Sequence, residues 1–357
     1  MIREQQATKE TLMTNFLSDN VTVACPEVIA GVLEANNTPA LPYGEDSLSL
    51  ELSKEFSEVF ETEVSVFPAI TGTASNALAL AALTPSYGNI YCHRFSHINT
   101  EECGAPELFT GGAKLIPVPG KNGKITVKDL VPAISGSGDV HHTQPSTVSI
   151  TQASEAGTIY RVDQIADISE TAHAHGLRVH MDGARFANAL VRLDLSPAEI
   201  TWKAGVDILS FGATKNGCLA AEAIIFFNPK EVKDFHYLHK RSGQLLSKMK
   251  FVSAQLKSYL KNGIWLRNAR NANKMADRLS KGLSELSGVR LVYPTESNEV
   301  FVHLPDPVIE KLNASGVPVN TFQFDCSAAR FVTAWNTKPQ EVDSLIATVR
   351  THSGKTN

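Results

Sequence analysis

Short apolar runs alternate with helix-period segments from about residue 64 to residue 227, and this alternation constrains the fold more than any other feature. Segments such as Ala74–Leu83 and Val162–Ala174 carry small or apolar residues at helical spacing. The strand-like runs are Val64–Phe67, Asn89–Tyr91, Lys114–Val118, Val148–Thr151, Leu177–Met181, Asp207–Phe211 and Ala223–Phe227. Such alternation predicts an α/β fold with a mostly parallel sheet and helices on both of its faces.

The pattern changes after this region. From about Glu231 to Leu286 it is long and helical, with an interruption near Asn262–Gly263, and beyond Val289 short strands mix with helices. A length of 357 residues is enough for about two domains. We therefore predict a smaller C-terminal α+β domain, and we divide the chain into an N-terminal arm (residues 1–22), a large domain (23–262) and a small domain (263–357).

Composition and charge exclude several classes of protein. Hydrophobic residues make up 43% and charged residues 20%, which supplies a sizeable core and is too little charge for a disordered chain. The net charge of −4 gives no reason to expect nucleic acid or an anionic membrane as a partner. No apolar run approaches the roughly 20 residues of a membrane-spanning helix. The first 16 residues resemble neither a secretory signal nor a transit peptide.

The cysteine and histidine patterns favour a cytoplasmic protein without a metal. Histidine pairs occur, but no His-Glu-x-x-His motif does, and we predict no metal site. Gly-x-Gly-x-x-Gly and P-loop motifs for nucleotides are absent as well. No two cysteines form a Cys-x-x-Cys pair, so we expect free thiols in a reducing compartment at Cys25, Cys92, Cys103, Cys218 and Cys326.

Two strand ends carry polar residues that suggest chemistry. The apolar strand Leu177–Met181 ends in Asp182, and a glycine turn then leads to Arg185 and a helix. The next strand leads into a loop of small residues in which Lys215 stands alone before Asn216 and Gly217. In open α/β sheets ligands bind outside the carboxyl ends of the strands, so these side chains lie where a ligand would.

A third motif precedes them. Thr71, Gly72 and Thr73 follow an early strand and open a helix of small residues. The first N–H groups of a helix have no partner within it, and its dipole is positive there, so this turn can bind a phosphate. Each motif also has a simpler explanation: Asp182 can be a helix cap, Lys215 can be solvated, and the threonine turn can be an ordinary N-cap.

Together the three motifs provide a phosphate site, an anionic partner for a heterocyclic nitrogen and a nucleophilic amine. Pyridoxal 5'-phosphate is the cofactor that needs all three: a lysine binds its aldehyde, and an aspartate keeps its pyridine nitrogen protonated. The sequence therefore predicts a pyridoxal-phosphate enzyme.

With these residues in place, the sequence resembles the L-threonine aldolase family of fold-type I pyridoxal-phosphate enzymes, and within it the low-specificity and phenylserine aldolase branch. The resemblance covers almost the whole chain, from near Ser18 to the final helix. It rests on Ser18–Thr22 (SDNVT), Tyr43–Asp46 (YGED), Thr71–Asn76, the segment of His97, Glu102 and Gly104, His180–Arg185 (HMDGAR) and Ser210–Gly217 (SFGATKNG).

The resemblance implies a role for each cofactor residue. Lys215 would bind the cofactor covalently, Asp182 would contact the pyridine nitrogen, and Gly72 and Thr73 would hold the phosphate. His97 would lie on the face of the ring, with a part in proton transfer.

Further residues would meet the substrate. Arg185, which also borders the cofactor, would bind the substrate carboxylate together with Arg330 and Ser18, because a guanidinium fork grips a carboxylate with two parallel bonds. The alternative for Arg330 is an ion pair at a domain interface. Tyr43 and the N-terminal arm would cross to a second subunit.

Two positions depart from the family pattern. Glu155 stands where many members have a histidine near the substrate hydroxyl, so the general base is either His97 or Glu155 acting through water. Lys250 occupies a position that is often arginine, and its point charge would give a looser contact with the substrate carboxylate.

The implied activity is the retro-aldol cleavage of L-threonine, L-allo-threonine or phenylserine-type amino acids to glycine and an aldehyde. A β-eliminating lyase on the same fold is the alternative enzyme, and a ligand-binding α/β protein without catalysis is the alternative outside enzymes. Aldolases of this kind are homotetramers built from dimers, with each site completed at the dimer interface. We therefore expect a homo-oligomer and a small amino-acid substrate.

Overall fold

The computed structural model describes residues 16–232, 234–323 and 327–353. Most of the predicted N-terminal arm and Cys326 thus lie outside the described residues. The described residues form the α-helices α1 (Pro26–Asn36), α2 (Ser47–Phe60), α3 (Gly72–Leu83), α4 (His97–Thr100), α5 (Ala105–Thr110), α6 (Val127–Leu130), α7 (Val162–Ala174), α8 (Phe186–Leu193), α9 (Phe235–Arg241), α10 (Lys250–Leu260), α11 (Ile264–Ser284), α12 (Asp306–Ala314) and α13 (Pro339–Ser353). Short 3-10 helices include Asp19–Val21, Thr214–Asn216 and Lys261–Gly263.

The larger of two sheets contains β1 (Ser65–Ala69), β2 (Gly88–His93), β3 (Lys114–Val118), β4 (Gln144–Thr151), β5 (Arg178–Gly183), β6 (Ile208–Gly212) and β7 (Glu222–Phe226). Its strand order is β1-β7-β6-β5-β4-β2-β3. The strands from β3 to β6 are parallel, and only β7 runs against both of its neighbours. The predicted α/β fold with a mostly parallel sheet is confirmed.

The smaller sheet is antiparallel and follows α11. It contains β8 (Arg290–Leu291), β9 (Glu299–His303), β10 (Asn320–Gln323) and β11 (Ser327–Val332) in the order β10-β11-β9-β8. This sheet and α13 form the C-terminal α+β unit that the change of pattern predicted.

One helix belongs to both hydrophobic cores. The beginning of α11, with Trp265 and Ala269, packs in the core of the larger sheet, while Met275 and Leu279 pack in the core of the smaller one. The helix starts after a break in which Asn262 has a φ of 54°, which accounts for the interruption seen in the sequence. The domain boundary at residue 262/263 stays a prediction, since the two cores meet inside α11.

The sheet brings several loops to one edge. β1, β5 and β6 run in the same direction, because β1 and β6 are both antiparallel to β7. Their carboxyl ends, and the first residue of β7, therefore lie at the same edge. No helix among the residues that the structure describes is long and apolar enough to cross a bilayer.

Candidate active site

A cavity of about 300 Å³ opens at this edge of the larger sheet. Its volume is at the lower end of the range typical of small-molecule sites. It is lined by Asn20, Ile70, Thr71, Gly72, Thr73, Asn76, His97, Glu102, Thr151, Ala153, Glu155, Asp182, Ala184, Arg185, Thr214, Lys215 and Glu222. Most of the predicted site residues are among them; Ser18, Tyr43, Lys250 and Arg330 are not.

Lys215 lies in the 3-10 turn Thr214–Asn216, which follows β6 directly. The turn can approach β5 closely because Gly212 has no side chain: a Cβ atom there would lie 2.5 Å from the carbonyl oxygen of Ala184. The Lys215 amine has no hydrogen-bond or ion-pair partner among the residues that the structure describes. An amine without a partner inside a cavity can react with a ligand.

Both carboxylate oxygens of Asp182 accept hydrogen bonds. Oδ1 accepts the backbone N–H of Ala184 at 3.0 Å, and Oδ2 accepts a side-chain N–H of Asn76 at 2.9 Å. Asp182 is buried at the end of β5. Its position and orientation are thus set before any ligand enters.

Asn76 connects Asp182 to a second buried carboxylate. Its Nδ2 also donates to Oε1 of Glu102 at 2.9 Å, and the same oxygen accepts from Nδ1 of His97 at 2.9 Å. We call these four residues, His97, Glu102, Asn76 and Asp182, the Asn76 bridge. Burial raises the pKa of Glu102, and the hydrogen bond to Glu102 raises the pKa of His97. Asn76 Oδ1 and Glu102 Oε2 are buried without a hydrogen-bond partner among the described residues.

The threonine turn has the geometry of an anion site. The hydroxyl of Thr71 caps α3 by accepting the N–H of Ala74 at 3.1 Å. The N–H groups of the first turn have no partner within the helix, and the helix dipole makes this end positive. The space beside Gly72 is open, since a Cβ atom there would meet no other atom within 4 Å. A phosphate can therefore approach the backbone of Gly72 and Thr73.

Glu155 lies on the His97 side of the cavity. Its Oε1 accepts the backbone N–H of His97 at 3.0 Å. Burial, together with the nearby charge of Asp182, raises the pKa of Glu155 to about 7. A carboxyl group with such a pKa can accept or donate a proton near neutral pH.

Glu222 is a cavity residue that the sequence analysis missed. It is the first residue of β7, 7% exposed, and its Oε2 accepts the N–H of Ala213 at 3.0 Å. Burial raises its pKa to about 7. The available signal was a single carboxylate at the start of the apolar strand Glu222–Phe226, a few residues after Lys215.

Asp19 is the second residue that was missed, and it changes the interpretation of Arg185. Nε and Nη2 of Arg185 donate to the two oxygens of Asp19 at 2.8 and 2.9 Å, and Nη1 lies 3.2 Å from Oε2 of Glu299. Burial alone would raise the pKa of Asp19, but the charge of Arg185 holds it below its usual value. One edge of the Arg185 fork is therefore already occupied, and a substrate carboxylate has to bind its other N–H groups.

Arg330 and Ser18 border this ion pair. Nη1 of Arg330 lies 3.5 Å from Glu299, and Nη2 donates to the carbonyl of Leu17 at 3.2 Å. Its Nε is buried without a partner among the described residues. The hydroxyl of Ser18 accepts the N–H of Asn20 at 3.1 Å. We refer to Asp19, Arg185, Asn298, Glu299 and Arg330 as the Asp19 cluster, since Asn298 also donates to Asp19 at 3.0 Å.

Tyr43 and Lys250 lie elsewhere in the chain. Nζ of Lys250 donates to the carbonyls of Ala35 and Thr38 at 2.9 and 2.7 Å, where it caps the end of α1 beside a separate groove of about 880 Å³. Nζ of Lys240 lies 4.1 Å from the centre of the Tyr43 ring, which is half exposed. A single chain therefore does not bring Tyr43 or Lys250 to the cavity.

The residues of the cavity fit pyridoxal 5'-phosphate. An unpartnered amine, an anchored carboxylate and an open helix N-terminus face one space, and the orphaned oxygens of the Asn76 bridge are buried beside it. The Asn76 bridge provides negative charge where a protonated ring nitrogen would lie.

The chain is similar to known proteins over most of its length. The model of the family described as beta-eliminating lyase matches residues 15–306. The low specificity L-threonine aldolase of Pseudomonas sp. (strain NCIMB 10558) is 43% identical over 335 residues, which are 94% of this chain and 96% of the relative. The protein of the same name from Pseudomonas aeruginosa is 44% identical over the same shares of both chains.

Solved structures are similar to this chain as well. The structure of Leishmania major threonine aldolase has a TM-score of 0.88 and 28% identity, and the match covers 94% of this chain and 98% of that one. A serine palmitoyltransferase from Sphingomonas wittichii, at 15% identity and a TM-score of 0.70, shares the fold alone.

Proposed function

The chain belongs to the beta-eliminating lyase family and, within it, groups with the low-specificity L-threonine aldolases, and we propose on that basis that it cleaves β-hydroxy-α-amino acids to glycine and an aldehyde. The observation that carries the proposal is the unpartnered amine of Lys215 in one cavity with the anchored carboxylate of Asp182. The chain is a carbon–carbon lyase, and its cofactor is pyridoxal 5'-phosphate.

The bound cofactor supplies a protonated ring that accepts the electrons of a bond broken at the substrate's α-carbon. Lys215 would hold the cofactor through its aldehyde, and the amine of the substrate would take the place of Lys215 there. The charge of Asp182 would keep the proton on the ring nitrogen, and the backbone at Gly72 and Thr73 would bind the phosphate. His97 would lie against the ring; its Nδ1 donates to Glu102, which leaves Nε2 available for proton transfer.

We assign the general base to Glu155. Its pKa of about 7 leaves a large ionised fraction at neutral pH, while proton transfer from a hydroxyl stays efficient. Because Glu155 accepts the backbone N–H of His97, the carboxylate is held beside the imidazole. His97 is the second candidate for this role, since the hydrogen bond that it donates to Glu102 raises its pKa.

The substrate carboxylate binds at the Asp19 cluster in this proposal. Asp19 occupies Nε and one proton of Nη2 of Arg185, so the carboxylate meets the remaining N–H groups of the guanidinium, together with the hydroxyl of Ser18. Arg330 supports the contact with its unpartnered Nε. The carboxylate and ring contacts together orient the α–β bond across the ring, and this orientation selects which bond breaks.

A β-eliminating lyase is the rival function, and the description of the family model keeps it open. The test compares the release of glycine from L-threonine, L-allo-threonine and phenylserine with the release of pyruvate from serine and tyrosine. We expect glycine and aldehyde in equal amounts, and turnover of the first group at least tenfold above the second. Pyruvate as the main product would overturn the proposal.

Assembly and compartment complete the proposal. We propose that the protein is a dimer of dimers in the cytoplasm, in which Tyr43 and Lys250 reach the cavity of a second subunit; the cysteines Cys25, Cys92, Cys103 and Cys218 are free thiols, in keeping with a reducing compartment. Lys250→Ala should then raise the KM for phenylserine several-fold and leave the visible absorbance of the bound cofactor unchanged. An unchanged KM would remove Lys250 from the site.

A further inference from the structure

Glu222 stands between the two segments that serve the cofactor. Across three neighbouring strands, Ala69 of β1, Glu222 of β7 and Gly212 of β6 lie side by side. The chain continues from Ala69 to the phosphate turn and from Gly212 to Lys215. Glu222 therefore lines the cavity at the point where the anion site and the lysine turn meet.

Lys215 is the cation that interacts directly with Glu222 at this point of the cavity. The charged and titratable groups that interact with Glu222 are Lys215 from its turn, Cys218 from the following loop and Tyr259 from α10. Burial raises the pKa of Cys218 and of Tyr259 well above their usual values, so both are neutral. Arg185, the other cation of the cavity, is already paired with Asp19.

An ionised Glu222 and a phosphate dianion would repel each other here. The phosphate would accept from the first N–H groups of α3, while the buried carboxylate already takes the N–H of Ala213 and hydrogen bonds from Thr214. A neutral carboxyl group has the opposite character, because its O–H can donate to a phosphate oxygen while its other oxygen still accepts from Ala213.

We propose that Glu222 takes up a proton when a tetrahedral dianion binds at the N-terminus of α3, and that it then acts as a hydrogen-bond donor to that anion. This assignment rests on the proposed function, since the phosphate is that of the cofactor. Because the pKa of Glu222 is about 7, its neutral form needs little further stabilisation for the group to be protonated at physiological pH.

The test measures proton uptake on anion binding to the full chain freed of cofactor. Sulfate is the probe, because it stays a dianion between pH 6 and pH 8 and adds no proton of its own. Isothermal titration calorimetry in two buffers of different ionisation enthalpy gives the protons bound per site. At pH 8 a group with a pKa of about 7 is roughly one-tenth protonated, so full protonation takes up about 0.9 proton, against about 0.1 at pH 6.

Glu222→Gln should lose this uptake at pH 8, and it should bind sulfate up to about tenfold more tightly than the wild type there, since its amide donates at every pH. The two proteins should bind equally at pH 6. Glu155→Gln is the matched control: it changes another cavity carboxyl group with a pKa of about 7, beside His97, and should keep the uptake.

Equal uptake by Glu222→Gln and the wild type at pH 8 would overturn the assignment, as would uptake that vanishes in Glu155→Gln instead. If Glu222→Gln fails to fold, as seen by circular dichroism, the wild-type uptake at pH 6 and pH 8 decides alone: no increase between them overturns the proposal. Addition of pyridoxal 5'-phosphate separates this question from the proposed function, which predicts visible absorbance in the wild type whatever the measured proton uptake.

Discussion

The Asn76 bridge and the Asp19 cluster lie on two sides of one cavity, but they balance charge in opposite ways. The Asn76 bridge holds two carboxylates, Glu102 and Asp182, on a neutral amide, with a single histidine at its end. The Asp19 cluster alternates acidic and basic groups, so that Asp19 and Glu299 offset Arg185 and Arg330.

This difference separates a site suited to the cofactor from a substrate site that also holds the fold together. Uncompensated buried charge is costly unless a partner arrives, so the Asn76 bridge is suited to a cationic ring nitrogen. The Asp19 cluster is nearly neutral without a ligand and holds the N-terminal segment against the smaller sheet. Changes to the Asn76 bridge should therefore affect cofactor chemistry. Changes to the Asp19 cluster should mainly lower the stability of the fold.

Removal of the unpartnered amine gives the largest expected effect. Lys215→Ala should abolish the visible absorbance of the bound cofactor and lower turnover by about 10⁴-fold or more, because no other group attaches to the aldehyde. Its melting temperature without cofactor should match the wild type. Lys203→Ala, which changes a lysine paired with Glu61 on the surface, is the control and should keep colour and activity. A coloured, active Lys215→Ala protein would refute the site.

A change of charge on the Asn76 bridge should come next. Asp182→Asn keeps an oxygen acceptor but removes the charge that stabilises the ring proton, so kcat should fall by about 10²–10³-fold while the cofactor still binds. Absorbance titration and steady-state kinetics measure the two effects. Turnover equal to the wild type would mean that another group serves the ring nitrogen.

A change in the Asp19 cluster should lower the free energy of unfolding. Asp19→Ala leaves Arg185 buried and unpaired, and we expect a loss of about 3–5 kcal/mol in the free energy of unfolding. Asp343 makes the same two-bond contact with Arg278 on the surface, at 2.7 and 2.8 Å, and is the matched control. Asp343→Ala should change chemical denaturation very little. Equal losses in the two variants would show that burial of the ion pair is unimportant.

The smallest effect is a pH dependence at Glu155. Its pKa is raised from 4.5 to about 7 in the folded state, so the folded protein binds the proton more tightly. Stability should therefore fall as the pH rises from 4.5 to 7, by about 1–3 kcal/mol, and then level off. Glu155→Gln should remove its own share of this decline in thermal melts and leave the share of Glu222, and it should remove the limb near pH 7 from the profile of kcat/KM. If the stability and the kcat/KM of Glu155→Gln changed with pH as they do in the wild type, Glu155 would be neither the source of the pH dependence nor the general base.

Local patterns predicted that three of the site residues would lie close together. Asp182, Lys215 and Gly72 each stand within five residues after a predicted strand, and strands that run in the same direction bring their carboxyl ends to one edge. The cavity brings these three together as the alternation of strands and helices implied. Sequence reasoning works here because each residue is positioned by the element next to it.

The residues that were missed are positioned by distant parts of the chain. Asp19 meets Arg185 across 166 residues, and Glu222 reaches the cavity because β7 reverses direction and starts at the edge where the other strands end. Neither spacing nor composition encodes such a meeting. The contact of Asp19 with Arg185 likewise depends on the path that residues 16–21 take in the folded chain, and no local motif predicts it.

The helix α11 also affects how the molecule unfolds. Because its 21 residues begin in one hydrophobic core and end in the other, neither core can lose its packing without loosening the helix that completes its neighbour. Calorimetry should accordingly record one cooperative melting transition for the whole chain instead of two separate steps.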